Sequence, residues 1–299
     1  MSFCSDIKNE LGNIRPSDCC KLPLTYGFLL FSRSFSAKKI SMQTENLAAA
    51  KLYARLLKSC YGAEVQILSG GGKRVTYRAF VPSEADRLKI LASVDYGIAD
   101  GKINRECFVK DCCPAAFIRG AFLACGQISD PEKAYRADFS VRDESLAQEF
   151  CKLLSEHFVK AGISKRQSGY TVYIKRSEMI INLLTVMGAS ARSLEFIETT
   201  IMKDVKNNIN RARNCDSGNI TKTVNAAFAQ TKAIEYLEKT GRLENLPPEL
   251  TSAAELRKKD PVGSLSQLVK QSSEAITVSG LNHRLRRIIE IYEKHSQKH

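Results

Sequence analysis

Asp18-Cys19-Cys20-Lys21-Leu22-Pro23-Leu24-Thr25-Tyr26-Gly27 is matched later in the chain by Asp111-Cys112-Cys113-Pro114-Ala115-Ala116-Phe117-Ile118-Arg119-Gly120. The aspartate, both cysteines and the glycine each recur 93 positions later. Solenoid units are only about 20–50 residues long, so a repeat at this distance indicates two related halves. The first two-thirds of the chain is therefore predicted to be duplicated.

Each copy of this segment predicts a buried helix. The aspartate can cap a helix N-terminus, and the apolar run that follows leaves few polar positions on any side. Gly27 and Gly120, with Ala121 and Ala124 beside the second, would let two such helices approach closely through their backbones. The sequence therefore predicts a packed pair of helices.

The elements downstream of this helix recur as well. Each copy continues with a helix, an alternating strand and a second helix that starts at a Ser-Glu pair, a combination typical of a helix N-terminus. These elements are predicted at 45–60, 75–80 and from 83 in the first copy, and at 144–159, 170–174 and from 177 in the second. One mixed α/β unit is thus used twice, over residues 18–98 and 111–188.

A polar stretch separates this duplication from the rest of the chain. Ser193–Val205 predicts one helix, whereas Arg211–Asn219 is polar and is predicted to be irregular, as in a hinge. From Thr221 onward the pattern is helical between proline breaks. The predicted organisation is a duplicated domain, a linker helix with hinge and a C-terminal domain, at residues 1–190, 191–212 and 213–299.

The C-terminal region contains a candidate helix-turn-helix. Ser264 can cap a short helix, and after a break at Ser272-Ser273-Glu274 a longer helix begins near Thr277 or Ser279. The longer helix has apolar residues at helical spacing, namely Leu281, Leu285, Ile288, Ile289 and Tyr292. Two helices joined in this way are typical of a DNA-reading motif.

The face opposite these apolar residues is polar and basic. At about 100° per residue it carries or adjoins six candidate DNA-binding residues, which are Ser279, Asn282, His283, Arg284, Arg286 and Arg287. Arginine can engage guanine edges or phosphate, and asparagine can pair with adenine. The alternative is an ordinary surface helix with a solvated basic face. The preceding helix and turn favour DNA contact.

Composition points to the same class of partner. Lys and Arg number 45 against 32 Asp and Glu, which leaves a net charge of +13 and favours a polyanion such as nucleic acid.

Leu22–Phe31 is the most apolar stretch and is too short to span a bilayer, which takes about 20 apolar residues. No signal peptide opens the chain, and ten cysteines in such a context predict reduced thiols. A cytoplasmic, nucleoid-associated protein is expected.

Ile118-Arg119-Gly120-Ala121-Phe122-Leu123-Ala124-Cys125-Gly126 resembles a degenerate LAGLIDADG motif of homing endonucleases, with Thr25–Arg33 as the first copy. The resemblance implies two motif helices packed at a pseudo-two-fold axis and antiparallel sheets that form a DNA saddle. It also implies a metal-binding catalytic aspartate at the eighth motif position. Ser32 and Cys125 stand there instead, and Mg²⁺-assisted cleavage needs carboxylate oxygens. No catalytic residue is expected.

A LAGLIDADG-like half joined to a helix-turn-helix half resembles the bacterial WhiA family. Asn219–Ala227 and Ser279–Arg286 carry the resemblance in the C-terminal third. It implies an α+β fold, with a duplicated αββαββα domain followed by an all-α domain similar to the promoter-reading region of sigma factors. The implied function is a non-enzymatic transcriptional regulator linked to cell division, chromosome segregation and, in some bacteria, sporulation.

The implied partners are double-stranded promoter DNA and, as a further partner, RNA polymerase or a sigma factor, with no membrane, no cofactor and a monomeric state. An alternative function is a protein-interaction module that docks on RNA polymerase or the division machinery, with auxiliary DNA contact. A nuclease that uses other acids, such as Asp130, is a weaker hypothesis because Asp130 precedes Pro131 and suits a turn.

Two further motifs are ambiguous. Gly70-Gly71-Gly72-Lys73-Arg74 suggests a phosphate loop, but it lacks the Walker spacing and is predicted to be a hairpin turn. Cys19-Cys20 and Cys112-Cys113 could meet and offer four thiolates to Zn²⁺. Adjacent cysteines lack the usual ligand spacing, so small apolar residues at a helix start, and no metal, are predicted.

Overall fold

Both copies of the repeat fold into the same order of elements in the computed structural model, which describes residues 2–71, 75–94 and 102–296. The first copy comprises α2 (Asp18–Leu30), β1 (Ser34–Ser36), β2 (Lys39–Thr44), α3 (Leu47–Tyr61), β3 (Gln66–Gly70), β4 (Thr76–Phe80) and α4 (Glu84–Val94). The second comprises α5 (Cys112–Cys125), β5 (Gly126–Ile128), β6 (Ala137–Val141), α6 (Glu144–Glu156), β7 (Gly162–Arg166), β8 (Gly169–Ile174) and α7 (Ser177–Met187). The duplicated αββαββα arrangement is confirmed.

Each copy builds one antiparallel four-stranded sheet, and the two sheets have the same strand order. The orders are β1-β2-β4-β3 and β5-β6-β8-β7. In β6 the buried residues are Ala137, Phe139 and Val141, so one face of the strand points into the core.

Among the strands, only β4 and β8 were predicted from the sequence. β1 and β5 are three residues long, and β3 is largely exposed, so these strands carry little alternation.

α2 and α5 pack backbone to backbone, as the two glycines predict. A Cβ added at Gly27 would lie 2.2 Å from the carbonyl oxygen of Phe117, and one at Gly120 would lie 2.2 Å from the carbonyl oxygen of Leu24. The two contacts are equivalent under the repeat. The helix pair therefore sits on a pseudo-two-fold axis, and neither glycine leaves room for a side chain.

Aromatic side chains from both copies fill the core beside this helix pair. The ring centroids of Phe31 and Phe150 are 4.6 Å apart, and those of Phe139 and Phe150 are 5.0 Å apart. Phe117 packs edge-on against Phe31. The first copy therefore packs against aromatic residues of the second. Burial of one such side chain contributes about 1.5–3 kcal/mol to the stability of the fold.

An N-terminal helix, α1 (Phe3–Asn13), precedes the repeat and was not predicted. Ser2 caps it by accepting a hydrogen bond from the backbone N–H of Ser5 at 3.3 Å. Ile7 and Leu11 are fully buried in the same core. The i, i+4 spacing of these two residues was the feature of the sequence that could have predicted this helix.

α8 (Ser190–Lys239) is a single helix of 50 residues, and the two compact units of the chain, Met1–Asp204 and Val205–His299, divide within it. The prediction that Arg211–Asn219 is irregular was therefore wrong, whereas the linker bounds 191–212 stay a prediction. A solvated helix needs no apolar stripe, and arginine and lysine are good helix formers. The hydroxyls of Thr221 and Thr223 donate to carbonyls one turn earlier.

The second unit adds α9 (Pro248–Lys259), α10 (Leu265–Gln271) and α11 (Val278–Ser296) to the last turns of α8. The buried apolar residues come from all four helices and are Ala233, Ile234, Leu237, Leu250, Ala253, Ala254, Leu268, Leu281, Leu285 and Ile288. This is a small all-α core of its own. It fixes which face of α11 remains in solvent.

Candidate nucleic-acid interface

Side-chain caps set the start of both motif helices. Ser264 caps α10 with a capping box, because its Oγ accepts from the backbone N–H of Gln267 and its own N–H donates to Gln267 Oε1 at 2.8 Å. Thr277 Oγ1 accepts from the backbone N–H of Gly280 at 3.1 Å. The predicted cap at Ser264, the break after α10 and the start of the longer helix near Thr277 are confirmed.

The apolar stripe of α11 faces the core as predicted. Leu281, Leu285 and Ile288 are buried, while Ile289 and Tyr292 are partly buried at its edge. The Tyr292 ring packs edge-on against Tyr236 of α8, with 5.1 Å between centroids. The opposite face of α11 is thereby held outward.

Four of the six predicted DNA-binding residues are exposed on that outward face, namely Ser279, His283, Arg286 and Arg287. Asn282 is half-buried at the edge of the face. Arg284 is also half-buried, and its Nη1 lies 2.9 Å from Glu274 Oε2. The structure thus brings five polar side chains to the free side of α11 and holds the sixth against the preceding turn.

The Arg284–Glu274 ion pair connects α11 to the turn of the motif. Glu274 also accepts a hydrogen bond from the Ser252 hydroxyl of α9 at 2.9 Å. The hydrogen bond from Arg284, followed by that from Ser252, lowers the pKa of the Glu274 carboxyl. Arg284 therefore positions the turn.

Arg257, on α9, is a structural residue that sequence reasoning missed. Its side chain is 1% exposed, and its Nε donates to Gln230 Oε1 at 2.9 Å. Its Nη1 donates to the carbonyl oxygens of Gly263 at 2.6 Å and Asp260 at 3.2 Å. Burial lowers the pKa of Arg257, opposed by the charge of Asp260. Arg257 follows Leu250 at i+7, so both residues lie on the same face of α9. This spacing was the feature of the sequence that could have predicted its burial.

The eighth motif positions of the duplicated unit hold neutral, internally bonded side chains. Ser32 is buried, and its hydroxyl donates to the carbonyl oxygen of Phe28 at 2.6 Å. The Cys125 thiol donates to the carbonyl oxygen of Ala121 at 3.5 Å, and burial raises its pKa to about 12. Neither group offers the hard anionic oxygen that Mg²⁺ prefers.

A basic groove of about 410 Å³ opens beside Ser32 at the C-terminal end of α2. Arg33, Arg142 and Arg166 line it, all three are exposed, and its lining contains no Asp or Glu. Guanidinium groups match phosphate oxygens in geometry and charge. The groove was missed because its arginines are far apart in sequence and meet only through the fold.

Asp130 is a turn residue, as predicted. Its Oδ1 accepts from the backbone N–H of Glu132 at 2.9 Å, and its carbonyl oxygen accepts from the N–H of Lys133. In the Gly70–Arg74 segment, residues 72–74 lie outside the described residues. The flanking strands pair antiparallel with Gly70 opposite Thr76, which agrees with a hairpin.

The vicinal cysteines of the two copies lie side by side at the start of α2 and α5. The Sγ atom of Cys112 is 3.3 Å from that of Cys20 and 3.6 Å from that of Cys19. Cys113 completes a group whose four sulfurs all lie within 4.8 Å of one another. A hydrogen bond with the Ser17 hydroxyl lowers the pKa of Cys19 to about 7, and burial raises that of Cys20 to about 12.

No helix in the described part of the chain is both long enough and apolar enough to cross a bilayer.

Comparisons with known proteins match both units of the chain. The WhiA C-terminal HTH domain matches residues 209–292, and the WhiA LAGLIDADG-like domain matches residues 114–206. The chain is similar to a probable cell division protein WhiA of Clostridium botulinum, with 37% identity over 99% of both chains. A relative of the same description from Caldicellulosiruptor saccharolyticus is 33% identical over 98% of this chain and 95% of its own.

The chain is also similar to a solved structure. The crystal structure of full-length DUF199/WhiA from Thermatoga maritima superposes with a TM-score of 0.57 and 25% identity, covering 98% of this chain and 99% of that one.

Proposed function

The chain belongs to the WhiA family, and on that premise we propose that it is a non-enzymatic, DNA-binding transcriptional regulator of cell division and chromosome segregation. The observation that carries the proposal is the outward face of α11. It presents Arg286, Arg287, His283 and Ser279 to solvent on a helix whose opposite side is fixed by a core. Such a helix fits the major groove, where arginine and asparagine distinguish bases.

The net charge of +13 supports a polyanionic partner. Each phosphate neutralised by Lys or Arg releases counterions, so a basic chain gains affinity for duplex DNA at low salt. The groove lined by Arg33, Arg142 and Arg166 gives the duplicated unit its own phosphate-binding surface. In this proposal α11 reads sequence and the groove contributes sequence-independent affinity.

The proposal assigns no cleavage to the duplicated unit. Ser32 and Cys125 occupy the positions where the homing-endonuclease motif carries its acids, and both are hydrogen-bonded to their own helices. The groove beside Ser32 is lined by arginine side chains. Their positive charge favours binding of a phosphate group over its metal-assisted hydrolysis. The protein is therefore proposed to use a nuclease-like scaffold for contact alone.

A second function, docking on RNA polymerase or the division machinery, is favoured by one surface. Ile220, Val224 and Phe228 follow each other at i, i+4 and i+8 on α8, and all are exposed, Phe228 by 71%. An exposed apolar row of this kind is typical of a partner-binding helix face. Docking is compatible with DNA binding and would direct the regulator to its machinery.

A genome-wide map of DNA occupancy tests the main proposal. Full-length protein and the Arg286→Ala/Arg287→Ala double variant are compared in the native host, with Lys239→Ala as the control because Lys239 is exposed on α8 and off the reading face. Discrete occupied sites near promoters, lost in the double variant and kept in the control, support the proposal. Occupancy that is uniform, or unchanged in the double variant, contradicts it.

A plasmid assay tests the non-enzymatic part separately. Supercoiled plasmid is incubated with the full chain and Mg²⁺ or Mn²⁺. The plasmid is expected to remain supercoiled at protein concentrations that retard it in a gel. Nicking that disappears in Asp130→Ala would restore the nuclease hypothesis.

A further inference from the structure

Four thiols converge at the N-terminal end of the α2–α5 pair. Cys19 and Cys20 come from the first turn of α2, and Cys112 and Cys113 from the first turn of α5. Three of the Sγ–Sγ distances are 3.3 Å, 3.6 Å and 3.9 Å, and no two of the four sulfurs are more than 4.8 Å apart. In a tetrahedral Zn²⁺ site a Zn–S bond of about 2.3 Å places the sulfurs about 3.8 Å from each other. The group already has the size of a zinc-binding tetrahedron.

Adjacent cysteines can serve one ion here because each pair lies at a helix end. Within a regular helix, neighbouring side chains diverge by about 100°. Cys19 and Cys20 nevertheless keep their sulfurs 3.9 Å apart. Pro23 lacks the N–H that would bond the carbonyl oxygen of Cys19, and that oxygen accepts from the Cys113 thiol at 3.3 Å instead.

Two features near the group favour negative charge, namely the helix N-termini and the hydroxyl beside Cys19. Four thiolates around Zn²⁺ leave a charge of about −2 in the usual structural site. The N-termini of α2 and α5 both end at the group, and each carries a partial positive charge of about +0.5. The Ser17 hydroxyl lies 3.3 Å from Cys19 Sγ, close enough to donate to a thiolate. These groups supply the outer shell that a metal site needs.

The size of the group indicates a single ion and not a cluster. Four sulfur ligands in a tetrahedron select zinc or an iron–sulfur centre. A cluster would push the ligand sulfurs apart, since its own iron and sulfide ions must fit between them, so a group this tight encloses a single ion. Cys20 and Cys113 are buried and Cys112 is exposed, which leaves an entry path on one side.

We propose that Cys19, Cys20, Cys112 and Cys113 bind one structural Zn²⁺ ion, which fastens the two copies of the repeat to each other at the end of the helix pair. The site takes two ligands from each copy at equivalent positions, so it lies on the same pseudo-two-fold axis as Gly27 and Gly120. The proposal replaces the prediction of no metal made from ligand spacing, because that spacing rule describes ligands on one loop.

Metal analysis of the intact protein tests the site. The full chain, carrying no metal-binding tag, is purified without chelator, dialysed and analysed for zinc and iron. About one zinc per chain is expected from a closed four-ligand site. The Cys19→Ser/Cys112→Ser variant removes the two accessible ligands and is expected to lose the metal while keeping its circular dichroism. Cys4→Ser/Cys215→Ser, which removes two cysteines outside the group, should retain it.

Cobalt substitution keeps the test decisive if the protein is purified without metal. Adding Co²⁺ to the reduced apoprotein should produce thiolate charge-transfer and tetrahedral d–d bands that saturate near one equivalent, and added Zn²⁺ should abolish them. Three results would overturn the proposal: absence of these bands in the folded wild-type protein, iron in place of zinc, or a mass lower by two hydrogens that shows a disulfide within the group.

Discussion

The α2–α5 pair and α11 use their sequences in opposite ways. In the pair, the contact glycine recurs in both copies, and Gly27 and Gly120 make reciprocal contacts, while the positions for catalytic acids hold Ser32 and Cys125. In α11, one face packs against the core of the second unit, and the other face exposes polar and basic side chains to solvent. We interpret the first element as a scaffold and, under the proposed function, the second as a contact surface.

The largest expected effect on stability comes from adding a methyl group at the contact between α2 and α5. In Gly27→Ala the new Cβ would lie 2.2 Å from the Phe117 carbonyl oxygen, so α2 and α5 would have to separate. We expect a loss of about 4 kcal/mol or more in the free energy of unfolding of the first unit, the range reserved for core disruption. Urea unfolding followed by circular dichroism measures it.

A matched control is available in α8. Gly218 is also a helical glycine, but a Cβ added there meets nothing within 4 Å. Gly218→Ala should stabilise the helix by about 0.5–1 kcal/mol, because alanine has the higher helix propensity. Equal effects of the two substitutions would show that Gly27 is not a packing residue.

Removal of Arg257 is expected to have the next largest effect, in the second unit. Arg257→Met leaves Gln230 Oε1 and the Gly263 carbonyl oxygen without their donor in a buried site. A cost of about 2–4 kcal/mol in the free energy of unfolding follows from two unsatisfied groups. Thermal unfolding of the variant measures it.

Lys259→Ala, at an exposed position on the same helix, is the control and should stay within about 0.5 kcal/mol of wild type. If Arg257→Met were equally mild, the hydrogen bonds of Arg257 would not stabilise the second unit.

The sequence predicted those features that depend on local pattern. The repeat located the helix pair and its glycines, and the stripe from Leu281 to Ile288 oriented α11 correctly. Features made by distant residues were missed, since Arg33, Arg142 and Arg166 come from three separate segments that line one groove only in the fold. The continuity of α8 was missed because the polar segment Arg211–Asn219 carries no apolar period to detect.

The smallest expected effect concerns the turn that precedes α11. Arg284 lowers the pKa of Glu274, so the ionised carboxylate stabilises the folded state above its unfolded pKa, and this contribution is lost as the pH falls through the lowered folded pKa. Glu274→Gln should therefore lower the midpoint of thermal unfolding slightly at pH 7. Wild type and variant should converge at acidic pH. A difference that grows on acidification would contradict the assigned ion pair.

Salt dependence of duplex DNA binding tests the central claim most directly. Fluorescence anisotropy with promoter DNA would compare the wild-type chain with Arg286→Ala and with Lys239→Ala, each at several salt concentrations. Arg286→Ala should lose about 1–3 kcal/mol of binding free energy if it contacts a base, or about one unit of the salt slope if it contacts phosphate. Lys239→Ala should match wild type. Equal affinities and slopes for all three proteins would contradict the assignment of α11 as the DNA-reading helix.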